Sequence, residues 1–343
     1  MCTEDFAKAS IVLGIESTCD ETSAALVRSG HEILSHVIAS QAHVHAQFGG
    51  VVPELASRHH IDAIIPVIEQ CLGGSSLQEI DLIAVAKGPG LIGSLLVGIQ
   101  TAKTLAWALH RPLVGVHHVE AHLYAAMMGV QQLDDYLPAI GVILSGGHST
   151  LLRIEAVGKY TLIGQTIDDA AGEAFDKVAK MLNLGYPGGP QVEEKARQGN
   201  KKAFLWKAGT VKKQPLNFSF SGLKTAVLYT LRSLQALGPL EEETVCDLCA
   251  SFQHTVICDL IKKIRLACTE FHPKALFLGG GVTQNKALRE HCSSALDIPL
   301  FWPSPDLCLD NAAMIGGLGF HTWQKTPIDE TFSLEPQTRI RFD

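Results

Sequence analysis

His118 and His122 stand four residues apart in His117-His118-Val119-Glu120-Ala121-His122, ahead of the run Leu123 to Met128. On a helix that begins near Val116, this spacing sets the two imidazoles one turn apart and about 40° apart around the axis. Both rings then address one point, as two ligands of a transition metal would, with one or two further groups still to come from elsewhere. The bland alternative is one capping and one packed histidine. Zinc peptidases use the same His-x-x-x-His spacing, but their general base is a Glu directly after the first His. Val119 holds that place here, and Glu120 falls about 200° round the helix from His118. The peptidase base is absent.

Two glycine turns could hold an anion. Ser145-Gly146-Gly147-His148 joins two apolar runs and exposes backbone N–H groups with little steric obstruction. Gly279-Gly280-Gly281 ends a strand and opens a helix, so its amides offer a second site for a phosphate or nucleotide. Neither turn is specific alone, and neither matches a Walker loop or Gly-x-Gly-x-x-Gly. Asp168-Asp169-Ala170-Ala171-Gly172-Glu173-Ala174-Phe175-Asp176-Lys177 places acids at a helix start, where they match the helix dipole and cap it, or where Asp176 could instead face a cleft and accept hydrogen bonds from a ligand hydroxyl or amine. Tyr186-Pro187-Gly188-Gly189-Pro190 reads as a rigid bend beside it. The stretch Asn200 to Pro215 interleaves Lys201, Lys202, Lys207, Lys212 and Lys213 with Phe204 and Trp206, a composition suited to RNA backbone and base stacking, or else to a solvated loop.

The elements that must position these residues come in a repeated order. Strands at Ile11 to Ile15, Ser23 to Val27 and Glu32 to Ile38 form a meander, a loop covers Gln41 to Arg58, and a helix spans His59 to Cys71. Strand Leu82 to Val85, helix Ser94 to Leu109 and strand Leu113 to Val116 then deliver the histidine helix. The same order recurs. Strands fall at Ala139 to Leu144, Ser149 to Glu155 and Tyr160 to Gln165, with a helix at Ala171 to Leu184 and a polar insertion behind it. Helices Ser221 to Leu237 and Glu241 to Thr269, strand Ala275 to Leu278, helix Gln284 to Ser293, strand Pro299 to Trp302 and helix Asp310 to Trp323 complete the second half. This is an α/β duplication. Two such lobes put equivalent loops on opposite walls of one cleft, so His118, His122 and Asp310 are expected to meet in the middle, a donor set suited to Fe(II) or Zn(II). Asp310 could instead cap its own helix. The expected division is an N-terminal lobe over residues 10–135, a C-terminal lobe over 136–325 with an insertion near 190–240, and a tail over 326–343.

Composition sets the outer limits. The 343 residues, 46% hydrophobic and 18% charged, suit a globular protein of two domains or lobes. The apolar region Leu82 to Leu109 is broken by Lys87, Gly88-Pro89-Gly90 and Lys103, so it reads as strand, loop and helix, not as a membrane span. Met1 to Ser10 lacks a signal core, and the nine scattered cysteines form no framework; both point to a cytoplasmic, reducing setting. Cys246 and Cys249 have no second pair to complete a zinc site and read as buried helix cysteines. With a net charge of −7, any nucleic-acid contact needs a local basic patch.

Taken together, these motifs resemble the TsaD (Gcp) family of tRNA N6-adenosine threonylcarbamoyltransferases from about Ile11 to about Gly319. The agreement includes Gly14-Ile15-Glu16-Ser17-Thr18-Cys19-Asp20-Glu21-Thr22, Gly49 to Glu54, Gly88 to Leu91, His118 to His122, Ser145 to His148, Asp168 to Lys177, Asn217 to Lys224, Gly279 to Val282 and Asp310-Asn311. The resemblance implies a duplicated actin-like ATPase (ASKHA, ribonuclease H-like) fold, with two lobes around a central cleft. It implies that His118, His122 and Asp310 bind a metal, usually iron, and that Ile143, Leu144, Ser145, Gly146, Gly147, Asp176, Gly189, Glu193 and Asn285 contact a threonylcarbamoyl-adenylate. The implied reaction carries the threonylcarbamoyl group to N6 of adenosine 37 in tRNAs that read codons starting with A, with Glu16 as the candidate base. Implied partners are tRNA and TsaB-like and TsaE-like proteins, with the adenylate made by a TsaC-like enzyme. Ala121, Leu309 and Thr283-Gln284 depart from residues common in the family. The rival readings are a metallopeptidase, a non-catalytic nucleotide-binding scaffold and a small-molecule kinase on the same fold.

Overall fold

A computed structural model describes residues 10–340; the expected leader up to residue 9 and the last three residues of the tail lie outside them. Strands β1 (Ile11–Glu16), β2 (Glu21–Arg28) and β3 (Glu32–Ser40) form the antiparallel meander. β4 (Leu82–Gly88) and β5 (Leu113–His117) add in parallel, giving the order β3-β2-β1-β4-β5. Central β1 and β4 are covered on both faces and so read as unbroken apolar runs, whereas edge strand β3 is only partly covered. The second sheet repeats this plan. β6 (Ala139–Leu144), β7 (Ser149–Ala156) and β8 (Lys159–Gln165) form its meander, and β9 (Leu276–Gly279) and β10 (Leu300–Phe301) extend it in parallel, in the order β10-β9-β6-β7-β8. Strand for strand, the two sheets share one topology.

Helices α1 (Ala42–Ala46), α2 (Pro53–Leu72), α3 (Ile92–Leu109) and α4 (His118–Ala125) belong to the first half of the chain. α5 (Ala171–Met181), α6 (Gly188–Ala196), α7 (Ser221–Gln235), α8 (Glu242–Phe271), α9 (Lys286–Ala295) and α10 (Ala312–Lys325) belong to the second. The last helix of each half packs on the other half's sheet: α10 lies over β1, β2, β4 and β5, α4 touches β6 and β9, and the two helices meet. Glycines permit the approach. A Cβ on Gly14 would lie 2.2 Å from the Ala312 carbonyl oxygen, and one on Gly141 would lie 2.6 Å from Leu123. One hydrophobic core therefore joins Val12, Ala84 and Val114 to Leu123, Ile143, Phe277 and Ile315. Each large side chain sealed there contributes about 1.5–3 kcal/mol, so the contact between halves is a major source of stability.

Several segments differ from expectation, among them the five-residue helix α1, which lies inside the expected Gln41 to Arg58 loop. Helix α2 starts at Pro53, six residues before His59, because a proline at the first helical position gives up an N–H that would have no partner, and Glu54 matches the helix dipole. The bend at Tyr186 to Pro190 is instead the N-terminal turn of α6. The tail is a docked strap along the β5 edge: the Glu330 amide donates to the Leu113 carbonyl, the Gly115 amide donates to the Glu330 carboxylate at 2.6 Å, and Leu334 is buried. It covers an otherwise open strand edge. α3 is long and apolar enough to cross a membrane by length and composition; here it packs Leu95, Ile99, Ala102 and Ala106 into the first lobe.

Candidate active site

β5 passes directly into α4, and His117 at the junction accepts the Glu120 amide on Nδ1. The helix begins at His118, two residues later than the sequence suggested, yet the ligand spacing survives. His118 and His122 are buried, with ring centroids 4.7 Å apart and planes at 82°. Asp310 comes from the other half of the chain. It does not cap α10; Asn311 does, accepting the Met314 amide at 2.9 Å, and this leaves the Asp310 carboxylate free to face the histidines. Its Oδ1 lies 2.9 Å from His122 Nε2 and 3.5 Å from His118 Nε2.

Two imidazole nitrogens and one carboxylate oxygen converge within 4.8 Å of one another. Ligands held at about 2.1 Å from a four- to six-coordinate metal stand about 3.0–3.4 Å apart, and the two distances from Asp310 to the histidine nitrogens, 2.9 and 3.5 Å, lie close to that range, so the donor set suits a divalent transition metal. Behind His118 lies a second carboxylate: Glu16, fully buried, sits with Oε2 2.9 Å from His118 Nδ1 and accepts the Thr18 amide on Oε1 at 2.6 Å. Thr18 Oγ1 stands 3.3 Å from the same Nδ1. A carboxylate on Nδ1 fixes the tautomer and aims Nε2 at the metal position. The electrostatics agree. Burial alone would lower the His118 pKa, but Glu16 and Asp310 outweigh it and raise it to about 9. Burial opposes ionisation of Asp310, yet His118 and His122 hold its carboxyl well below the ordinary range. The pocket favours positive charge.

The turn Ser145–His148 stands beside this cluster. His148, for which no separate role was expected, has its pKa lowered to about 4, first by burial and then by His118 and His122, and so is held neutral. Its place after the glycine pair was the available signal. Hydrogen bonds from the Ser145 amide to the His148 carbonyl and from the His148 amide to Ser145 Oγ close the turn. No heavy atom would come within 4 Å of a Cβ on Gly146, Gly147 or Gly189, so all three border open space. Gly172 at the start of α5 packs tightly under the turn, where a Cβ would lie 2.6 Å from the Ser145 carbonyl oxygen.

A family model described as TsaD, tRNA N6-adenosine threonylcarbamoyltransferase, matches residues 32–317. The chain belongs to the TsaD family. A tRNA N6-adenosine threonylcarbamoyltransferase of Protochlamydia amoebophila is 56% identical over 335 residues, covering 96% of this chain and 97% of the relative. One from Syntrophotalea carbinolica is 48% identical, covering 90% of each. Among solved structures, full-length HypF aligns with a TM-score of 0.60 at 14% identity, over 94% of this chain and 47% of HypF. Component A of (R)-2-hydroxyglutaryl-CoA dehydratase from Acidaminococcus fermentans aligns at 0.51 and 13% identity, over 92% and 98%. These two bear on fold alone, and they support the duplicated actin-like architecture.

Within this TsaD chain, the other expected ligand contacts are placed unevenly. Ile143 and Leu144 are fully buried and paired within β6. Asp176 accepts the Gly188 amide at 2.7 Å, Glu193 accepts the Lys286 amide at 3.0 Å, and Asn285 caps α9 while donating to Gln253. These three side chains tie together the starts of α6 and α9 around the second lobe's face of the cleft. Gly279 ends β9 against the ligand helix, where a Cβ would sit 2.1 Å from the His122 carbonyl oxygen, and a 3-10 turn at Gly281–Gln284 separates the triple glycine from α9. Glu120 points elsewhere, hydrogen-bonded to Tyr160 and raised to about 7 by burial. Cys246 and Cys249 are buried on α8. Phe204 and Trp206 stack on each other at 5.3 Å and pack against the second core.

Proposed function

We propose that this chain transfers a threonylcarbamoyl group from threonylcarbamoyl-AMP to N6 of adenosine 37 in tRNAs reading codons that start with A. The observation that carries the reading is the convergence of His118, His122 and Asp310 beside the open glycine turn in a chain of this family. In the reaction, N6 attacks the carbamoyl carbon, the bond from that carbon to the AMP phosphate breaks, and N6 releases a proton. A bound Fe(II) or Zn(II), held by both Nε2 atoms and Asp310, would act there as a Lewis acid toward the carbamoyl oxygen. The chain's own part is positioning. Gly146 and Gly147 border open space, which leaves room for the adenylate phosphate to approach the backbone of the turn, and Gly189 borders open space as well. Asp176, Glu193 and Asn285 shape the adenylate pocket by fixing the starts of α6 and α9. Glu16, with no exposed surface and both oxygens engaged, serves to orient His118 in place of the base role first considered.

A TsaB-like partner suits the large apolar side chains that these helices leave exposed, Ile61 and Ile65 on α2 and Ile92, Leu96 and Trp107 on α3. TsaE-like and TsaC-like proteins follow from the family reading alone, and a cytoplasmic location follows from the tRNA substrate and the free cysteines among the described residues. The test is mass spectrometry of tRNA nucleosides after incubation with threonylcarbamoyl-AMP, metal and partner proteins. Modified adenosine should appear with the wild-type chain and vanish with Asp310→Ala; its absence with active partners and wild-type chain would overturn the proposal.

A further inference from the structure

Of the 28 Lys and Arg in the chain, nine fall in residues 195–240, a stretch with no Asp or Glu; the remaining residues hold 19 cations against 35 acids. This is a basic island on an acidic protein. Three of the nine are spoken for: Lys195 pairs with Glu242, Arg197 with Glu194 at 2.7 Å, and Lys224 with Asp169 at 2.9 Å. Lys201, Lys202, Lys207, Lys212, Lys213 and Arg232 are exposed and have no carboxylate partner among the described residues. Five of these six lie on one irregular strap, Asn200 to Gln214.

The strap is anchored at several points. The Asn200 amide donates to Asp247, the Phe204 amide to Ser251, and Trp206 Nε1 to Thr230. Farther on, the Gly209 amide donates to the Ser219 carbonyl, and a Cβ on Gly209 would meet Ser219 Oγ at 2.6 Å. Asp168 then holds Ser219 and Ser221 through their hydroxyls at 2.6 and 2.8 Å, only four residues before Gly172, which underlies the Ser145 turn. Backbone anchors thus hold the strap in place while leaving its lysine ammonium groups without an ion pair among the described residues, and they tie its Lys207 to Lys213 part to Ser219, which Asp168 joins to the segment leading into Gly172. Phe204 and Trp206, whose composition suited base stacking, instead stack on each other and pin the strap to the core. What remains exposed is positive charge with no stacking surface, a face that reads phosphates and not bases.

We propose that the Asn200 to Gln214 strap is the docking surface for the tRNA sugar-phosphate backbone, with Lys207, Lys212 and Lys213 contacting the phosphates nearest the reacting adenosine. The proposal rests on the transferase reading. It explains how a chain of net charge −7 can engage a polyanion, because the local field at the strap opposes the global one.

The experiment compares the full-length chain with K207Q/K212Q/K213Q, with the corresponding triple arginine variant, and with Lys274→Gln, an exposed lysine at the opposite end of the second sheet. tRNA affinity is measured against salt concentration, thermal melting checks folding, and nucleoside mass spectrometry with partner proteins reports transfer. Each lost phosphate contact lowers the slope of log K against log salt by about 0.7–0.9, so the triple glutamine variant should lose about 2–3 from its slope. The arginine variant and Lys274→Gln should keep the wild-type slope. A triple glutamine variant that melts as wild type and retains the full slope overturns the strap while leaving the transferase reading standing. A wild-type chain that makes no modified adenosine with active partners overturns the transferase reading, and the strap proposal falls with it.

Discussion

Replacing Glu16 by Gln separates two roles that a buried carboxylate beside a metal site can have. Glu16 has no exposed surface; its Oε1 accepts the Thr18 amide at 2.6 Å and its Oε2 lies 2.9 Å from His118 Nδ1. Gln preserves the volume, and the Thr18 N–H fixes which way the new amide turns, since only the carbonyl oxygen can accept from it. The NH2 group must then face His118 Nδ1. Either two donors confront each other, or the imidazole moves its proton to Nε2, the atom aimed at Asp310. Both outcomes weaken His118 as a ligand. Loss of such a supporting carboxylate costs about 10–100-fold in metal affinity, equivalent to about 1.4–2.8 kcal/mol. Titrating metal-free wild-type and Glu16→Gln chains with Zn(II) against a chromophoric chelator measures this directly, and circular dichroism confirms the fold. The reasoning is refuted if the variant binds metal as tightly as wild type while transfer falls by about 10²–10⁴, the signature of a missing general base.

Gly279→Ala forces a Cβ to 2.1 Å from the His122 carbonyl oxygen, so β9 and the ligand helix must separate by about 0.9 Å to reach even 3.0 Å. A stability loss of about 1–3 kcal/mol in denaturant is expected, together with weaker metal binding; unchanged values of both would falsify the close packing. Asn311→Ala removes the α10 cap and the hydrogen bonds to the Leu307 and Leu309 carbonyls, and should cost about 1–2 kcal/mol in chemical unfolding and loosen metal binding although Asp310 remains. Burial works against ionisation of Asp169, but Lys177 and Lys224 hold its carboxyl below the ordinary value. Its contribution is therefore present above the unfolded value of about 3.9 and fades as pH falls through the folded one. Asp169→Asn should be destabilised by about 1 kcal/mol at pH 7, given the half-exposed lysine partners, with the gap to wild type closing below pH 4; a gap that persists in acid would contradict the ion-pair account.

The central strands were legible because they are short apolar runs bounded by turn-forming residues; β6 runs from Ala139 to Leu144 as expected, between Pro138 and Ser145. Duplication made the meeting of His118, His122 and Asp310 legible as well, since it brings equivalent loops together without any need for sequence proximity. What escaped was set by partners far along the chain. The Gly-Gly-Pro start of α6 has poor local helix propensity, and the turn forms because Asp176, twelve residues earlier, accepts the Gly188 amide. Glu16 was expected only as a candidate base, and the fold alone brings it against a histidine 102 positions away. Phe204 and Trp206 looked available to nucleobases because composition cannot tell a stacked pair packed on a core from two exposed rings.

The exchange of terminal helices explains why the metal ligands come from both halves. β5 feeds α4 toward the second sheet, and the chain after β10 feeds α10 back onto the first, so the starts of α4 and α10 face each other across the line where the lobes join. His118 is the first residue of α4, and Asp310 lies two residues before the first residue of α10. Any relative shift of the lobes must pass through the shared core of Leu123, Ile143, Phe277 and Ile315, which is close-packed and resists small displacements. Ligand geometry is therefore maintained by the same contacts that stabilise the fold. A metal bound there would in turn join α4 to the approach of α10, stabilising the arrangement of lobes that forms its own site.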